Sequence, residues 1–457
     1  MDNVKKNKYE IDMTSGSLFT KILIFSLPLM LSGILQLLFN AADLIVIGQY
    51  SNKQALAAVG ATSSLINFFI NVIIGISVGC NVVVARFFGA GKQKEIHDSV
   101  HTSICICIIL AVSVGITAFI LSKPILRLMD TPDDIIDLAA LYVHIYFAGL
   151  PATMLYNFGS AILRAVGDTK RPLYFLAISG VLNVILNLFF VIKLGMSVDG
   201  VALATVISQC LSAYLVLRCL IKSEAAYKLI IRDIRINKNI LKKIIAIGLP
   251  AGIQGMIFSV SNLLIQSSIN FFGADAMAGS TACQNIEGFV YTSMNAIYQT
   301  ALSFTSQNYG AGKFKRIKSV LFQCLFLVTA VGLILGNLVY LYGAQLIGLY
   351  SSDSEVIHYG LIRMKIICTT YCTCGIMEVF CGIIRGLGYG ILPMVVSLIG
   401  ACGLRILWIF TIFQKMHTLN TLYMSYPITW TITIIAHAIC LIFIWRKKIS
   451  PLQKVQA

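Results

Sequence analysis

The sequence is dominated by long apolar stretches that follow one another from residue 22 to residue 445 with only short polar breaks. About 20 apolar residues are what an α-helix needs to cross a bilayer. Twelve such stretches can be drawn: 22–49, 55–85, 98–122, 134–165, 173–192, 200–221, 243–272, 275–307, 319–345, 354–385, 391–413 and 422–445. Only 12% of the residues are charged, whereas soluble domains carry about 25%. The chain is therefore predicted to be an all-α polytopic membrane protein without a separate soluble domain.

Lys and Arg are distributed unevenly between the loops on the two sides of these segments. Most of the 35 basic residues fall in the tails and in alternate loops, whereas the opposite side has only five: Lys53, Lys123, Arg127, Lys193 and Lys415. Cytoplasmic loops of membrane proteins carry such an excess of Lys and Arg, so both termini are predicted to be cytoplasmic. The net charge of +16 follows from this topology, and no nucleic-acid partner is expected.

The chain also contains an internal repeat at an offset of 221 or 222 residues. The offset aligns the following pairs: Pro28 with Pro250, Asn40 with Asn262, 89–92 with 310–313 (both GAGK), Arg164 with Arg385, Gly167 with Gly388, and Pro172 with Pro393. Each half holds six segments, so both halves enter the membrane in the same orientation, related by a pseudo-twofold axis along the membrane normal. The predicted organisation is a tail (1–21), an N-terminal lobe (22–222), a basic connector (223–242), a C-terminal lobe (243–445) and a tail (446–457).

Three of the 19 acidic residues fall inside predicted spans: Asp43, Glu287 and Glu378. Ionisable groups within a membrane are costly and usually functional. Asp43 has no basic residue within a helical turn or two. Because removal from water favours the neutral form of a carboxyl group, such a group suits the exchange of a proton or a weakly held Na⁺. Glu287 and Glu378 have a second interpretation, in which they pair with basic residues of the same half: Arg363, Lys365 and Arg405.

Motifs for other chemistry are incomplete. Both GAGK turns lack the earlier glycine and the following Ser or Thr of a P-loop, and the 13 cysteines do not form the paired spacing of a structural zinc site. A membrane-embedded enzyme would need a paired catalytic constellation, which the sequence lacks. We therefore expect a protein that is not an enzyme and that holds no cofactor and no metal, apart from Na⁺ at Asp43. A receptor or scaffold would instead bury Asp43 without a cavity beside it.

Four segments together resemble the multidrug and toxic compound extrusion (MATE) family, most closely its bacterial DinF/MepA-type branch. They are LPLMLSGILQLLFNAADLIVIG in the first span, the turn RFFGAGK with its repeat SQNYGAGK, the turn RAVGDTKRP, and DGVALATVISQ. The resemblance covers nearly the whole chain. It implies an antiporter in the cytoplasmic membrane of a bacterium that exports cationic, amphipathic small molecules in exchange for H⁺ or Na⁺. We expect a monomer, and the sequence itself leaves the oligomeric state open.

The resemblance also implies site residues. Asp43 matches the essential carboxylate of the family, and Asn157, Asn183 and Thr205 match polar positions around it. The family's usual Asp four residues after Asn183 is replaced by Asn187, which leaves both the coupling ion and its stoichiometry open. Substrate contacts are assigned to four residues: Glu287, Glu378, Gln36 and Gln284.

Ion binding at Asp43 is predicted to alter helix packing, with bending at Pro28 and its repeat partner Pro250. The alternative is a lipid-linked oligosaccharide flippase of the related superfamily. An anionic lipid headgroup would require a cationic cavity, for which Arg363, Lys365 and Arg405 are the candidates.

Overall fold

The computed structural model describes residues 9–51, 53–129 and 131–456, and all regular structure within them is helical. The α-helices are numbered in chain order: α1 (Leu18–Tyr50), α2 (Lys53–Gly89), α3 (Gln93–Leu128), α4 (Asp133–Ala148), α5 (Leu150–Ala165), α6 (Lys170–Leu188), α7 (Val198–Ile221), α8 (Lys238–Asn270), α9 (Ala274–Gly310), α10 (Phe314–Leu341), α11 (Gly343–Gly348), α12 (Ser354–Gly386), α13 (Ile391–Ser397), α14 (Leu404–Phe410), α15 (Ile412–Lys415), α16 (Leu419–Ile444) and α17 (Ser450–Gln456). Three segments are π-helical: Phe189–Lys193, Leu398–Gly403 and Trp445–Ile449. The predicted all-α class is confirmed.

Ten helices of the described chain are long and apolar enough to cross a membrane, and α4 with α5 forms an eleventh, bent span. The remaining predicted span, 275–307, corresponds to α9. This helix has 37 residues, a length of about 55 Å at 1.5 Å per residue, but it is too polar to meet the same apolar criterion. Much of its polar surface, including Thr300, Ser303 and Asn308, is buried within the protein. Lipid therefore does not have to solvate these groups, and α9 completes the set of predicted segments.

The fourth span differs from the single helix predicted over 134–165. α4 and α5 meet at an angle of 45° at Gly149. A side chain at Gly149 would come within 2.4 Å of Val206, so the chain at the bend packs directly against α7. Pro151, in the first turn of α5, has no backbone N–H to continue the helix of α4. The break is therefore built from a glycine and a proline that the apolar pattern alone does not distinguish.

The chain forms two compact units, and neither is continuous in sequence. Unit 1 contains residues 1–12 and 34–248, and unit 2 contains residues 13–33 and 249–457. In unit 1, α7 packs against α4, α5 and α6, and α2 and α3 each pack against α4 and α5. In unit 2, α12 packs against α9, α10 and α16. Both α1 and α8 therefore contribute one part of their length to each unit.

Repeated glycines shape equivalent turns in the two units. Gly91 and Gly312 follow α2 and α9 with φ of 67° and 70°, and Gly167 and Gly388 have φ of 98° and 97°. Residues with a Cβ rarely adopt this left-handed conformation. At Gly167 a side chain would also come within 2.4 Å of the Ile11 carbonyl oxygen. The conserved offset between the pairs shows that the repeat read from the sequence is also a structural repeat.

The connector between the halves is fixed to the rest of unit 1. Tyr227 donates a hydrogen bond to Glu10 Oε1 at 2.6 Å, and burial, with the Glu10 carboxylate, raises the pKa of Tyr227 to about 12. The Asn237 side chain donates to Asp98 Oδ2 at 3.0 Å. These contacts attach residues 222–238 to the beginning of α3 and to the N-terminal residues of the same unit.

Candidate functional site

A polar cavity of about 50 Å³ lies among α1, α6 and α7 in unit 1. Its lining residues are Gln36, Phe39, Asn40, Asp43, Leu176, Ser179, Gly180, Asn183, Thr205, Ser208 and Gln209. Asp43 is the acidic residue among them. A site that holds a water needs roughly 10–15 Å³ of space together with several polar partners, so this cavity has room for an ion and a small amount of water.

Neutral side chains alone hold the Asp43 carboxylate. Asn187 donates a hydrogen bond to Oδ1, and Thr205 donates to Oδ2 at 3.5 Å. Within the described chain, no Lys, Arg or His forms an ion pair with Asp43, in agreement with the sequence around it. The arrangement orients the carboxylate but does not neutralise a negative charge on it.

Asn183 and Asn187 belong to the same network because they are one turn apart on α6. Asn183 donates to Thr205 Oγ1 at 3.4 Å, and Asn187 donates to Asn183 Oδ1 at 3.3 Å. Asn187 is fully buried, and its Oδ1 atom has no hydrogen-bond partner in the described structure. The π-helical segment Phe189–Lys193 follows immediately, and π-helical turns occur frequently at functional sites.

The atoms of this network suit a proton or a hard cation. Carboxylate, amide and hydroxyl oxygens are the ligands that such cations prefer. The unsatisfied Asn187 oxygen adds an acceptor beside the carboxylate. The residues Asp43, Asn183, Asn187 and Thr205 therefore fit the predicted ion site in their chemistry and in their proximity.

The structure places other predicted residues of this site differently. Asn157, on α5, donates to the Thr153 carbonyl at 2.8 Å and does not line the cavity around Asp43. Gln36, predicted to contact substrate, lines this same cavity.

Sequence reasoning missed several residues of the cavity. Asn40, Ser179 and Ser208 line it, and each is about one helical turn from a predicted residue, which is the signal that could have found them.

In unit 2, Glu287 forms a buried, bidentate ion pair with Arg363. The Arg363 Nε atom donates to Oε1 at 3.0 Å and Nη2 donates to Oε2 at 2.9 Å. Ser280 Oγ accepts from Nη1 at 2.9 Å, and Cys283 Sγ donates to Oε1 at 3.1 Å. Of the two interpretations open for Glu287, the structure supports pairing. The carboxylate is neutralised, and the free negative charge expected to attract cationic substrates is absent at this position.

Glu378 and Gln284 do not join this ion pair. Glu378, on α12, interacts electrostatically with Arg385, whose terminal nitrogens donate to the Tyr298 hydroxyl at 2.8 Å and to Gln254 Oε1 at 2.7 Å. In the described chain no ion pair joins Glu378 to either basic residue considered for it from the sequence. Gln284 is exposed and donates to Gln266 Oε1 at 3.4 Å.

Two clusters of His, Cys and acidic side chains in the described structure are close enough to hold a metal, but both are occupied by other contacts. The first contains His97, His101 and Asp233. His101 already accepts from the Ile230 backbone N–H at 3.0 Å and contacts the His97 carbonyl at 2.7 Å. The second contains Cys283, Glu287 and Cys368, where Arg363 binds both carboxylate oxygens.

The two predicted hinge prolines lie within helices, near the points where those helices pass from one unit to the other. Pro28 is inside α1, and that helix changes unit after Gly33. Pro250 is inside α8, and that helix changes unit after Gly248. Each proline removes one hydrogen bond of the helix within about two turns of this change.

Comparison with known families gives two matches along the chain. The MatE family model matches residues 28–189 and again residues 250–411. The matches have equal length and start at the two prolines that the sequence repeat aligns. They confirm the predicted duplication, and together they cover more than half of the chain.

Individual relatives agree with this match. "Probable multidrug resistance protein YoeA" of Bacillus subtilis (strain 168) is 27% identical over 444 residues, which cover 94% of this chain and 95% of that protein. "Probable multidrug resistance protein YpnP" of the same strain is 29% identical over 394 residues, covering 86% and 88%. A solved structure described as the outward-facing conformation of a multidrug resistance MATE family transporter superposes with a TM-score of 0.89 at 22% identity. It covers 98% of this chain and 100% of that one, and at this identity it shows the shared fold.

Proposed function

The chain belongs to the MatE family of membrane transporters, and from this membership we propose that it exports amphipathic organic compounds across the cytoplasmic membrane in exchange for H⁺ or Na⁺. Two relatives are named as probable multidrug resistance proteins, which supports drug-like molecules as substrates. The positive-inside distribution of Lys and Arg supports a cytoplasmic location of both termini.

The observation that carries the exchange is the environment of Asp43. A carboxyl group removed from water and without a basic partner is stabilised when it gains a proton or a bound cation. Thr205 and Asn183 line the cavity beside it and supply oxygen ligands. Asn187 donates hydrogen bonds to Asp43 and to Asn183. Binding the ion removes the negative charge, whereas releasing it restores a charge that needs more solvation. The occupied and empty states therefore favour different packing around α1, α6 and α7.

Pro28 provides the bend that such repacking requires. Because α1 lacks one hydrogen bond at this residue, it deforms there more easily than in a regular turn. Pro28 lies in the part of α1 that belongs to unit 2, whereas Asp43 lies in the part that belongs to unit 1. A change of packing at Asp43 is thereby linked, along a single helix, to the other unit. Pro250 has the corresponding place in α8.

The charge of the substrate is a separate question from export. Cationic substrates were implied by the family resemblance, with Glu287 and Glu378 as the acidic residues assigned to bind them, and Glu287 is neutralised by Arg363. The same pair also neutralises one of the three basic residues on which a flippase with a cationic cavity depended. We therefore propose amphipathic compounds without restricting them to cations, and we do not propose a flippase.

Transport into inside-out membrane vesicles tests the proposal. The lumen is either acidified or loaded with Na⁺, and uptake of rhodamine 123, ethidium and fluorescein is followed by fluorescence. The wild-type protein should take up at least one dye under one of the two gradients. Asp43→Asn, which keeps the shape but cannot release a proton, should slow this uptake by about tenfold or more.

Asp134→Asn is the matched control, since it changes an exposed acid at the start of α4 and should transport like the wild type. Gradient-driven uptake that is unchanged in Asp43→Asn at equal expression would contradict the assigned coupling residue. The absence of gradient-driven uptake of any dye by the wild type would contradict the proposed function.

A further inference from the structure

Arg405, in unit 2, is a buried cation without an ion-pair partner among the described residues. Its exposed fraction is 2%, and its Nε and Nη2 atoms have no hydrogen-bond partner in the described structure. No carboxylate of the described chain forms an ion pair with it. Arg363, by contrast, binds both carboxylate oxygens of Glu287.

Aromatic side chains surround this guanidinium group. Its central carbon is 4.0 Å from the ring centre of Tyr426 and 6.0 Å from that of Trp430. The Trp430 ring in turn packs against Tyr371, with ring centres 5.6 Å apart. Arginine stacked on an aromatic ring keeps its N–H groups available at the edge of the guanidinium plane. The rings therefore hold Arg405 in place and leave two of its donor atoms, Nε and Nη2, without a hydrogen-bond partner in the described structure.

A guanidinium group that is buried in the protein without an ion-pair partner carries a cost in free energy. Arginine is not deprotonated in proteins, so it cannot lower the cost by becoming neutral, and a buried charge without a partner destabilises the fold. A bound oxyanion removes this cost, because two parallel N–H groups of arginine match the two oxygens of a carboxylate or phosphate. The position is therefore stable when occupied by an anion.

The helix that carries Arg405 is irregular where it meets this cluster. The π-helical segment Leu398–Gly403 ends two residues before Arg405, and the following helix, α14, ends at Phe410. Segments of this kind mark hinges and functional sites. The π-helical segment packs against α16, which bears Tyr426 and Trp430. Because Arg405 and these rings are buried, a ligand can reach the guanidinium group only if this span moves relative to α16.

We propose that Arg405, Tyr426, Trp430 and Tyr371 form a binding site for aromatic organic anions, in which the guanidinium group binds a carboxylate, sulfonate or phosphate and the rings pack against the aromatic part. The proposal rests on the proposed export function and names a class of substrate for it. This class is opposite in charge to the cations expected from the sequence.

Tryptophan fluorescence of the purified full-length protein measures binding at this site. The chain has three tryptophans, and Trp430 is the one in the cluster. Fluorescein, an anionic xanthene dye, should quench this fluorescence in a saturable manner, and a Trp430→Phe variant should lose most of that change. Rhodamine 123 has the same ring system with a positive charge and serves as the matched ligand.

Substitution of Arg405 then separates charge recognition from general packing. Arg405→Gln should weaken fluorescein binding relative to rhodamine 123 by about tenfold or more, since the charge-assisted bonds to the oxyanion are lost. Arg405→Lys should have a smaller effect, because it keeps the charge without the planar fork. Arg127→Gln, which removes an exposed positive charge elsewhere, should bind both dyes like the wild type. The elution volume in size-exclusion chromatography and the unfolding temperature are measured for every variant to establish that it is folded.

Equal weakening of both dyes by Arg405→Gln, or no saturable quenching by fluorescein in the wild type, would overturn the inference. If Arg405→Gln does not fold, an unchanged ratio of the two affinities in Arg405→Lys would also overturn it. Failure of the export proposal is a distinct result, since it is the absence of gradient-driven uptake in vesicles, whereas binding is measured without a gradient.

Discussion

At the residue scale, two acidic side chains inside membrane spans have opposite environments. Asp43 accepts hydrogen bonds from Asn187 and Thr205 and has no ion-pair partner in the described chain, whereas Arg363 binds both carboxylate oxygens of Glu287. The sequence distinguishes them only partly. The absence of basic residues near Asp43 is visible along one helix, but Arg363 lies 76 positions after Glu287, and periodicity within one helix carries no information about such a pair.

The Glu287–Arg363 pair gives a stability prediction. Glu287→Gln or Arg363→Met alone should lower the free energy of unfolding by about 3–5 kcal/mol, because the remaining charge is left buried without a partner. The double variant should be more stable than either single variant, since both charges are removed. Thermal unfolding in detergent measures this order. A double variant less stable than both single variants would show that the pair does not act as a coupled unit.

At the element scale, the apolar stretches predicted the helices well because every backbone polar group in a bilayer must be bonded within the helix. Interruptions inside the spans were not predictable in the same way. The break between α4 and α5 depends on a close approach to Val206, and the π-helical turns do not change the apolar pattern. α9 was predicted as a span, but the burial of its polar residues depends on neighbouring helices that the sequence does not specify.

Pro28 gives the prediction at this scale. Pro28→Ala provides a backbone N–H that can bond the carbonyl four residues earlier and stiffens α1. Transport in inside-out vesicles should slow by roughly tenfold, because conformational steps limit many turnover rates, while dye binding to the purified protein should remain. Pro124→Ala is the control, since Pro124 also lies inside a helix, α3, but that helix belongs entirely to unit 1. Equal transport rates for the two variants would exclude a specific role of the α1 bend.

At the scale of the whole molecule, duplication explains the fold and divergence explains the sites. The two family matches and the paired glycine turns show a repeated scaffold. Asp43 aligns with Ile265 in that repeat, and Glu287 aligns with Ile66, so neither acidic group was copied. The repeat in the sequence therefore predicts the architecture of both units. The functional residues of each unit have to be identified separately.

The predicted membrane topology gives a test at the same scale. A green fluorescent protein fused to the C-terminus, or inserted after Lys92, should fluoresce because both positions are expected in the cytoplasm. Alkaline phosphatase inserted after Thr131 should be active, since the loop between α3 and α4 is expected on the opposite side. The reciprocal fusions test the inverted orientation. Active alkaline phosphatase at the C-terminus, together with fluorescent green fluorescent protein inserted after Thr131, would contradict the predicted topology.

Under the proposed coupling, the single acidic residue that lines the cavity in unit 1 would limit the work that each transport cycle can perform. Because Asn187 carries no charge, the site exchanges one elementary charge under the proposed coupling. A driving force of 100 mV supplies about 2.3 kcal/mol for one charge, which sustains a concentration ratio of roughly 45-fold for a neutral compound at about 1.4 kcal/mol per factor of ten. A second carboxylate at residue 187 would double that free energy and square the ratio. Under that coupling, the uncharged amide of Asn187 would limit how far the protein can deplete a compound from the cytoplasm.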